Sequence, residues 1–183
     1  MDDFSSDKGW ENVSTDCYSP GIAEGGIYRM EFWTAGDTDW VITLQPYPFN
    51  LPMQDVHVAV TGSGMNEAGA YGLVCRCTDR DNLYGFHIAN DGRYWIFKMV
   101  EGTGTTLASK SRPEIQGEVH RIEMWCIGKT IKAIVDGITL EEIQDGSLSE
   151  GNDGLFAQPL GGSLEGPWSF YAYFDDFSME VLP

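Results

Sequence analysis

The sequence predicts an all-β protein: two antiparallel sheets packed face to face as a β-sandwich, forming a single domain over residues 1–183. Three observations carry that expectation. Short runs alternate apolar and polar residues with a period of two, the mark of half-buried strands. Turn residues recur about every eight to twelve positions, the spacing of sandwiches and barrels. No window sustains the i, i+3, i+4 apolar spacing of an amphipathic helix, and only Glu141–Gln144 suits a single helical turn.

The alternation is clearest after Ala68. Tyr71, Leu73, Cys75 and Cys77 alternate with Gly72, Val74 and Arg76; Tyr84, Phe86 and Ile88 alternate with Gly85 and His87; Tyr94 and Ile96 alternate with Trp95 and Phe97. These are three consecutive strands of a meander. Asn90-Asp91-Gly92 joins the last two, because its residues tolerate the positive φ of a tight hairpin, and Asp79–Asn82 joins the first two.

Upstream, Ile27–Trp33 and Trp40–Leu44 read as strands, the second ended by Pro46 and Pro48, which forbid central pairing. Val56, Val58 and Val60 mark a third strand, followed by a Gly/Ser/Asn loop at 62–67. Downstream, Thr105–Ala108 is a short strand, and Gly117–Cys126 pairs with Thr130–Val135. Asp136-Gly137 turns the chain into Ile138–Ile143, and Gly154–Ala157 is a short apolar strand. A glycine-rich loop at 161–166 leads to the closing strand Trp168–Val181. Periodicity leaves the order of these strands in the sheets open.

Charge and cysteines bound the function. The net charge is −17, from 28 acidic and 11 basic residues. Nucleic acid is excluded as a partner, since phosphate binding depends on Lys and Arg, and so are anionic membrane surfaces. No apolar run approaches the roughly 20 residues that span a bilayer, so membrane insertion is not expected. The carboxylates give solubility, or hold divalent cations as hard oxygen ligands. Four cysteines, an even number, fit disulfides and an oxidising compartment. Cys75 and Cys77 share one face of one strand, which places them poorly to bridge each other. The expected location is extracellular or at the cell surface, with a leader removed upstream of Met1. A reduced cytoplasmic protein with incidental cysteines is the alternative.

Four stretches carry a family resemblance. GLVCRCTDRDNLYGFHIANDGRYWIFKMVEG (72–102), HRIEMWCIGKTIKAIVDGITL (120–140), GLFA (154–157) with FDDFSMEV (174–181), and the opening Asp2-Asp3-Phe4 followed by Trp10 occur in the order seen in one group. They resemble bacterial concanavalin A-like, laminin G-like jelly-roll domains of the non-catalytic, secreted type. The resemblance implies a jelly roll. It does not imply one function, because that family hosts glycoside hydrolases, sugar-binding modules and sensor domains. The chain departs from the common pattern at Cys77, where an aromatic is usual, and at Ala133.

The resemblance also implies covalent and metal links. Cys75 and Cys126 sit on the apolar parity of segments that resemble paired strands, so they are expected to form a disulfide across adjacent strands. The departure at Cys77 suggests a second disulfide with Cys17. A structural calcium ion is expected where the first and last strands meet, held by Asp2 or Asp3 with Asp175 or Asp176. Converging carboxylates in so acidic a chain repel one another without a cation, and all-oxygen donors suit calcium.

Catalytic signals are missing. The Glu-x-Asp-x-x-Glu run that hydrolases of this fold carry does not occur, Glu31 and Glu123 are lone acids on strands, and no nucleophile motif appears. The expectation is a protein that is not an enzyme. Strand parity instead puts Arg76, His87, Trp95 and Trp125 on outward faces. A Trp beside Arg and His is what a sugar-binding surface needs: the ring stacks on a pyranose and polar groups fix its hydroxyls. The bland alternative buries these residues under loops or pairs Arg76 with an acid. The function expected from all this is a non-catalytic, calcium-stabilised carbohydrate-binding or sensor-type module of a secreted protein. A self-assembling cell-surface subunit and a divergent glycoside hydrolase are the alternatives.

Overall fold

A computed structural model describes residues 1–6, 8–11, 18–32, 40–44, 46, 52–65, 69–160 and 170–183. Among them are thirteen strands: β1 (Tyr18–Ala23), β2 (Ile27–Phe32), β3 (Val41–Leu44), β4 (Val56–Met65), β5 (Gly69–Asp79), β6 (Asn82–Ile88), β7 (Arg93–Val100), β8 (Thr103–Ser111), β9 (Val119–Ile127), β10 (Thr130–Val135), β11 (Ile138–Gln144), β12 (Asn152–Pro159) and β13 (Phe170–Val181). They form two antiparallel sheets. One has the order β1-β2-β13-β4-β9-β10-β11, the other β3-β12-β5-β6-β7-β8. The late strands return to pair with early ones, β12 beside β5 and β13 between β2 and β4, which closes the jelly roll.

Inward-facing residues of both sheets make one core, including Tyr71, Leu73, Phe86 and Ile96 from the six-stranded sheet and Tyr28, Val58, Ile122 and Phe174 from the seven-stranded sheet. At one end Trp10 caps it, edge-on to Phe4 and Phe177 with ring centres 5.2 Å apart in both cases. The first residues reach this place because Asp2 exchanges two backbone hydrogen bonds with Phe177 of β13.

The meander β5-β6-β7 has the expected pairing. Four details differ from the sequence reading. Gly62–Gly64 continue β4 instead of forming a loop, since a side chain at Gly62 or Gly64 would come within 2.9 Å or 2.8 Å of the Tyr71 ring. Glu141–Gln144 is part of β11, where pairing with β10 overrides helical propensity. β1, and a 3-10 turn at Pro113–Ile115, carry no period-two signal and were not expected.

The fourth is a bulge. Between Cys75↔Tyr84 and Asp79↔Asn82, four steps along β5 oppose two along β6. Arg76 takes a left-handed φ of 50° there, and the irregularity reverses the parity of the residues beyond it. Cys75 therefore lies in the core, whereas Cys77 lies in a second apolar cluster on the other face of the sheet, with Val74, Leu83 and Phe156.

Cys75 and Cys126 are bonded, with Cα atoms 6.9 Å apart. The bond joins β5 to β9, which belong to opposite sheets, so it staples the sandwich together rather than linking adjacent strands. Cys77 is a buried free thiol donating to the Asp79 carbonyl at 3.3 Å; burial, then the nearby Asp79 and Asp153, push its pKa up to about 12. The expected Cys17–Cys77 bridge is thus not what Cys77 makes, and Cys17 itself lies outside the described residues. So do Trp33, Pro48 and the loop at 161–166.

Candidate cleft on the outer face of the six-stranded sheet

Register places one row of residues straight across the outer face of this sheet: Ile42, Phe156, Gly72, His87, Trp95 and Ser109, one from each strand in spatial order. Gly72 contributes no side chain. Phe156 and His87 therefore lean together over it and stack, with ring centres 4.8 Å apart and planes 9° from parallel. Trp95 packs on His87 at 5.0 Å, and Trp40 continues the series on the other side, stacked on Phe156 at 5.9 Å. The neighbouring row runs Leu44, Gly154, Val74, Gly85, Phe97 and Thr106. Gly85 is required beneath Phe97, because a Cβ there would lie 2.1 Å from that ring.

These rows floor a cleft of about 460 Å³, a size typical of small-molecule sites. Its apolar wall is Trp40, Trp95, Phe97 and Met99, and its polar groups come from His87, Thr105, Thr106 and Gln158. No Asp or Glu lines it among the described residues. Two arginines flank it: the Arg80 guanidinium lies 4.7 Å from the Trp40 ring centre and that of Arg93 lies 5.4 Å from Trp95. His87 is only 6% exposed and its Nδ1 has no hydrogen-bond partner. Burial pushes its pKa down to about 3, so the ring is neutral.

Of the four residues expected on a sugar face, the structure brings His87 and Trp95 together in this cleft. Arg76 is not on an outward face. It is buried, turned inward by its bulge, and its guanidinium donates to the carbonyls of Gln54, Gly128 and Leu148 and to Asp55. Trp125 is half-buried on the outer face of the opposite sheet, stacked on His57 at 4.2 Å, with His57 paired to Glu123 at 2.9 Å. It belongs to a different surface. Trp40, Phe97, Met99, Thr105, Thr106 and Gln158 were missed; the signal for Phe97 was its shared parity with Trp95, while Trp40 and Gln158 come from distant segments.

The chain ends converge as expected, through the Asp2–Phe177 bridge. Asp2 accepts hydrogen bonds from the Phe4 amide, Lys8 and the Trp10 indole. These outweigh its burial and hold its pKa below the usual carboxylate range. Asp3 accepts from the Ser5 amide, and Asp175 from the Asp176 amide. The Asp176 carbonyl is taken by Arg121. Among the described residues no three His, Cys, Asp or Glu side chains gather as metal ligands. Protein donors thus already engage oxygens of Asp2, Asp3 and Asp175.

No family model matches the chain, and no curated protein matches it. Solved structures do. The chain is similar to the carbohydrate-binding module CBM66 from Bacillus subtilis, with a TM-score of 0.69 at 17% identity over 94% of this chain and 95% of that one. It is similar to the Bacillus licheniformis β-glucanase, with a TM-score of 0.67 at 12% identity over 95% and 94%. It also matches the GH43 protein BlXynB of Bacillus licheniformis, at 0.64 and 14% identity, over 99% of this chain but only 39% of that one. Identities this low establish shared architecture alone. The chain is a two-sheet jelly-roll β-sandwich of the concanavalin-like kind that carbohydrate-binding modules and polysaccharide-degrading enzymes share.

Proposed function

We propose that this protein is a non-catalytic carbohydrate-binding module that works in an oxidising, extracellular setting, holding glycan in the cleft on its six-stranded sheet. The observation that carries the reading is the lining itself. Aromatic and thioether side chains offer flat apolar surface to the C–H faces of a sugar, and hydroxyl, amide and imidazole groups stand beside them for its hydroxyls. The similarity to a carbohydrate-binding module over nearly the whole of both chains supports it. The non-catalytic part draws on the chemistry of the lining. Glycoside hydrolysis in its usual form needs two carboxyl groups about 5–10 Å apart across the bond, and the described lining offers none. The Cys75–Cys126 bond supports the oxidising setting.

A glycan array with the full chain tests this, followed by titration of any ligand found. Trp95→Ala should weaken binding about tenfold, the cost of losing one stacking platform, with little change in melting temperature. Trp125→Ala, on the opposite sheet, should leave affinity unchanged. Equal losses from both variants, or binding to no glycan, would remove the cleft from the account. Release of reducing ends or of unsaturated sugars from polysaccharides would make the protein an enzyme instead.

A further inference from the structure

We infer that the cleft is built for an uncharged saccharide and that His87 reads one of its hydroxyls. This rests on the sugar-binding reading above and adds the charge class of the ligand and the residue that senses it. In a chain with 28 acidic residues, the polar groups of the described lining are one imidazole, two threonine hydroxyls and one amide. None of them is ionised. Of the two flanking arginines, Arg93 is paired with an acid and Arg80 sits at the rim on Trp40. Arg80 donates to the Trp40 carbonyl at 2.9 Å while its guanidinium covers the Trp40 ring, and Arg93 pairs with Asp91 at 2.6 Å while covering Trp95. A carboxylate or sulfate entering the cleft would lose water against a described lining that itself holds no charged group. It would also approach a molecule of net charge −17. A neutral sugar meets neither penalty.

His87 supplies the sensing group. Its ring is fixed by Phe156, Trp95 and Phe97, with centres 4.8, 5.0 and 5.5 Å away, so it cannot turn away to satisfy itself on another part of the protein. Its Nδ1 is buried without a hydrogen-bond partner and sealed from the cleft, so the nitrogen that meets a ligand is Nε2. A neutral imidazole offers one donor and one acceptor nitrogen, and a sugar hydroxyl both donates and accepts. Because burial holds the ring neutral well below its ordinary titration range, its hydrogen-bonding character stays constant through mildly acidic conditions.

The test is affinity electrophoresis of the full chain against β-glucan, arabinoxylan, galactomannan and fructan, beside polygalacturonate, alginate and chondroitin sulfate at fixed ionic strength. Retardation by at least one neutral polymer and by no acidic one is expected. Preference for an acidic polymer would overturn this inference and leave the sugar-binding reading standing; retardation by none would overturn both. With a neutral ligand in hand, His87→Phe keeps the aromatic stack and removes both nitrogens. Its dissociation constant should rise about threefold to tenfold, with the melting temperature nearly unchanged; an unchanged constant would remove His87 from recognition. Where that variant fails to fold, the unmodified protein decides. Its affinity should be flat from about pH 8 to pH 5, and loss of binding centred near the ordinary histidine value of about 6.5 would overturn the neutral-imidazole role.

Discussion

Arg76 and Asp153 are two charged-type residues buried in the sandwich. Arg76 is 1% exposed and its guanidinium is committed to the Gln54, Gly128 and Leu148 carbonyls and the Asp55 carboxylate. It ties the segment before β4, the β9–β10 turn and the segment before β12 to the β5 bulge. Arg76→Met would take the donor away from those carbonyls, and should cost about 3 kcal/mol in urea denaturation. Asp153, 2% exposed, lies in β12 opposite the β5 bulge, with one carboxylate oxygen unpartnered. Burial pushes its pKa up to about 7, against the pull of Arg76. Its folded pKa lies above the unfolded value, so the stability it lends is fully present below about pH 4 and is lost as pH rises through 7. Asp153→Asn should therefore match the parent more nearly at pH 4 than at pH 8, where it should melt higher. Equal melting differences at both pH values would show that the carboxyl does not titrate in this range.

At the scale of the strands, the disulfide and the glycines decide how the sheets meet. The Cys75–Cys126 bond spans 51 residues and links β5 to β9 across the core. In the chain-entropy view a loop of that length restricts the unfolded state by about 4 kcal/mol. Reduction, or the paired change Cys75→Ala with Cys126→Ala, should lower the denaturant midpoint by a corresponding amount while the sheets persist in far-UV circular dichroism. An unaltered midpoint would mean that the core alone holds the sheets together. Gly62 and Gly64 beneath Tyr71, and Gly85 beneath Phe97, do the opposite work. They remove side chains where aromatic rings must lie flat on a strand. The first pair shapes the core, the second the cleft.

Across the whole molecule, a net charge of −17 on 183 residues makes the folded state self-repelling. Salt should raise the melting temperature by screening. Calcium should raise it no further than sodium chloride of equal ionic strength, because protein donors already engage oxygens of Asp2, Asp3 and Asp175. A calcium effect beyond the salt control, abolished by Asp176→Ala and reversed by a chelator, would mean that the chain ends rearrange around the ion.

The sequence by itself determined the local geometry. Period-two alternation is a property of one strand, so the all-β class, the β5-β6-β7 meander and its Asn90–Gly92 turn could all be read from consecutive residues, as could the shared outward parity of His87 and Trp95. Features that depend on pairing between distant segments could not. The bulge at Arg76 breaks the parity on which an outward Arg76 rested, and alternation carries no sign of an inserted residue until the partner strand is known. Trp125 shared its parity with the right residues but belongs to the other sheet, a matter of strand order rather than period. The cleft gathers residues from Trp40 to Gln158 because register aligns the strands of one sheet behind Gly72 and Gly85. Only tertiary structure fixes that register, since the β3–β12 hydrogen bonds that help set it join segments over a hundred residues apart.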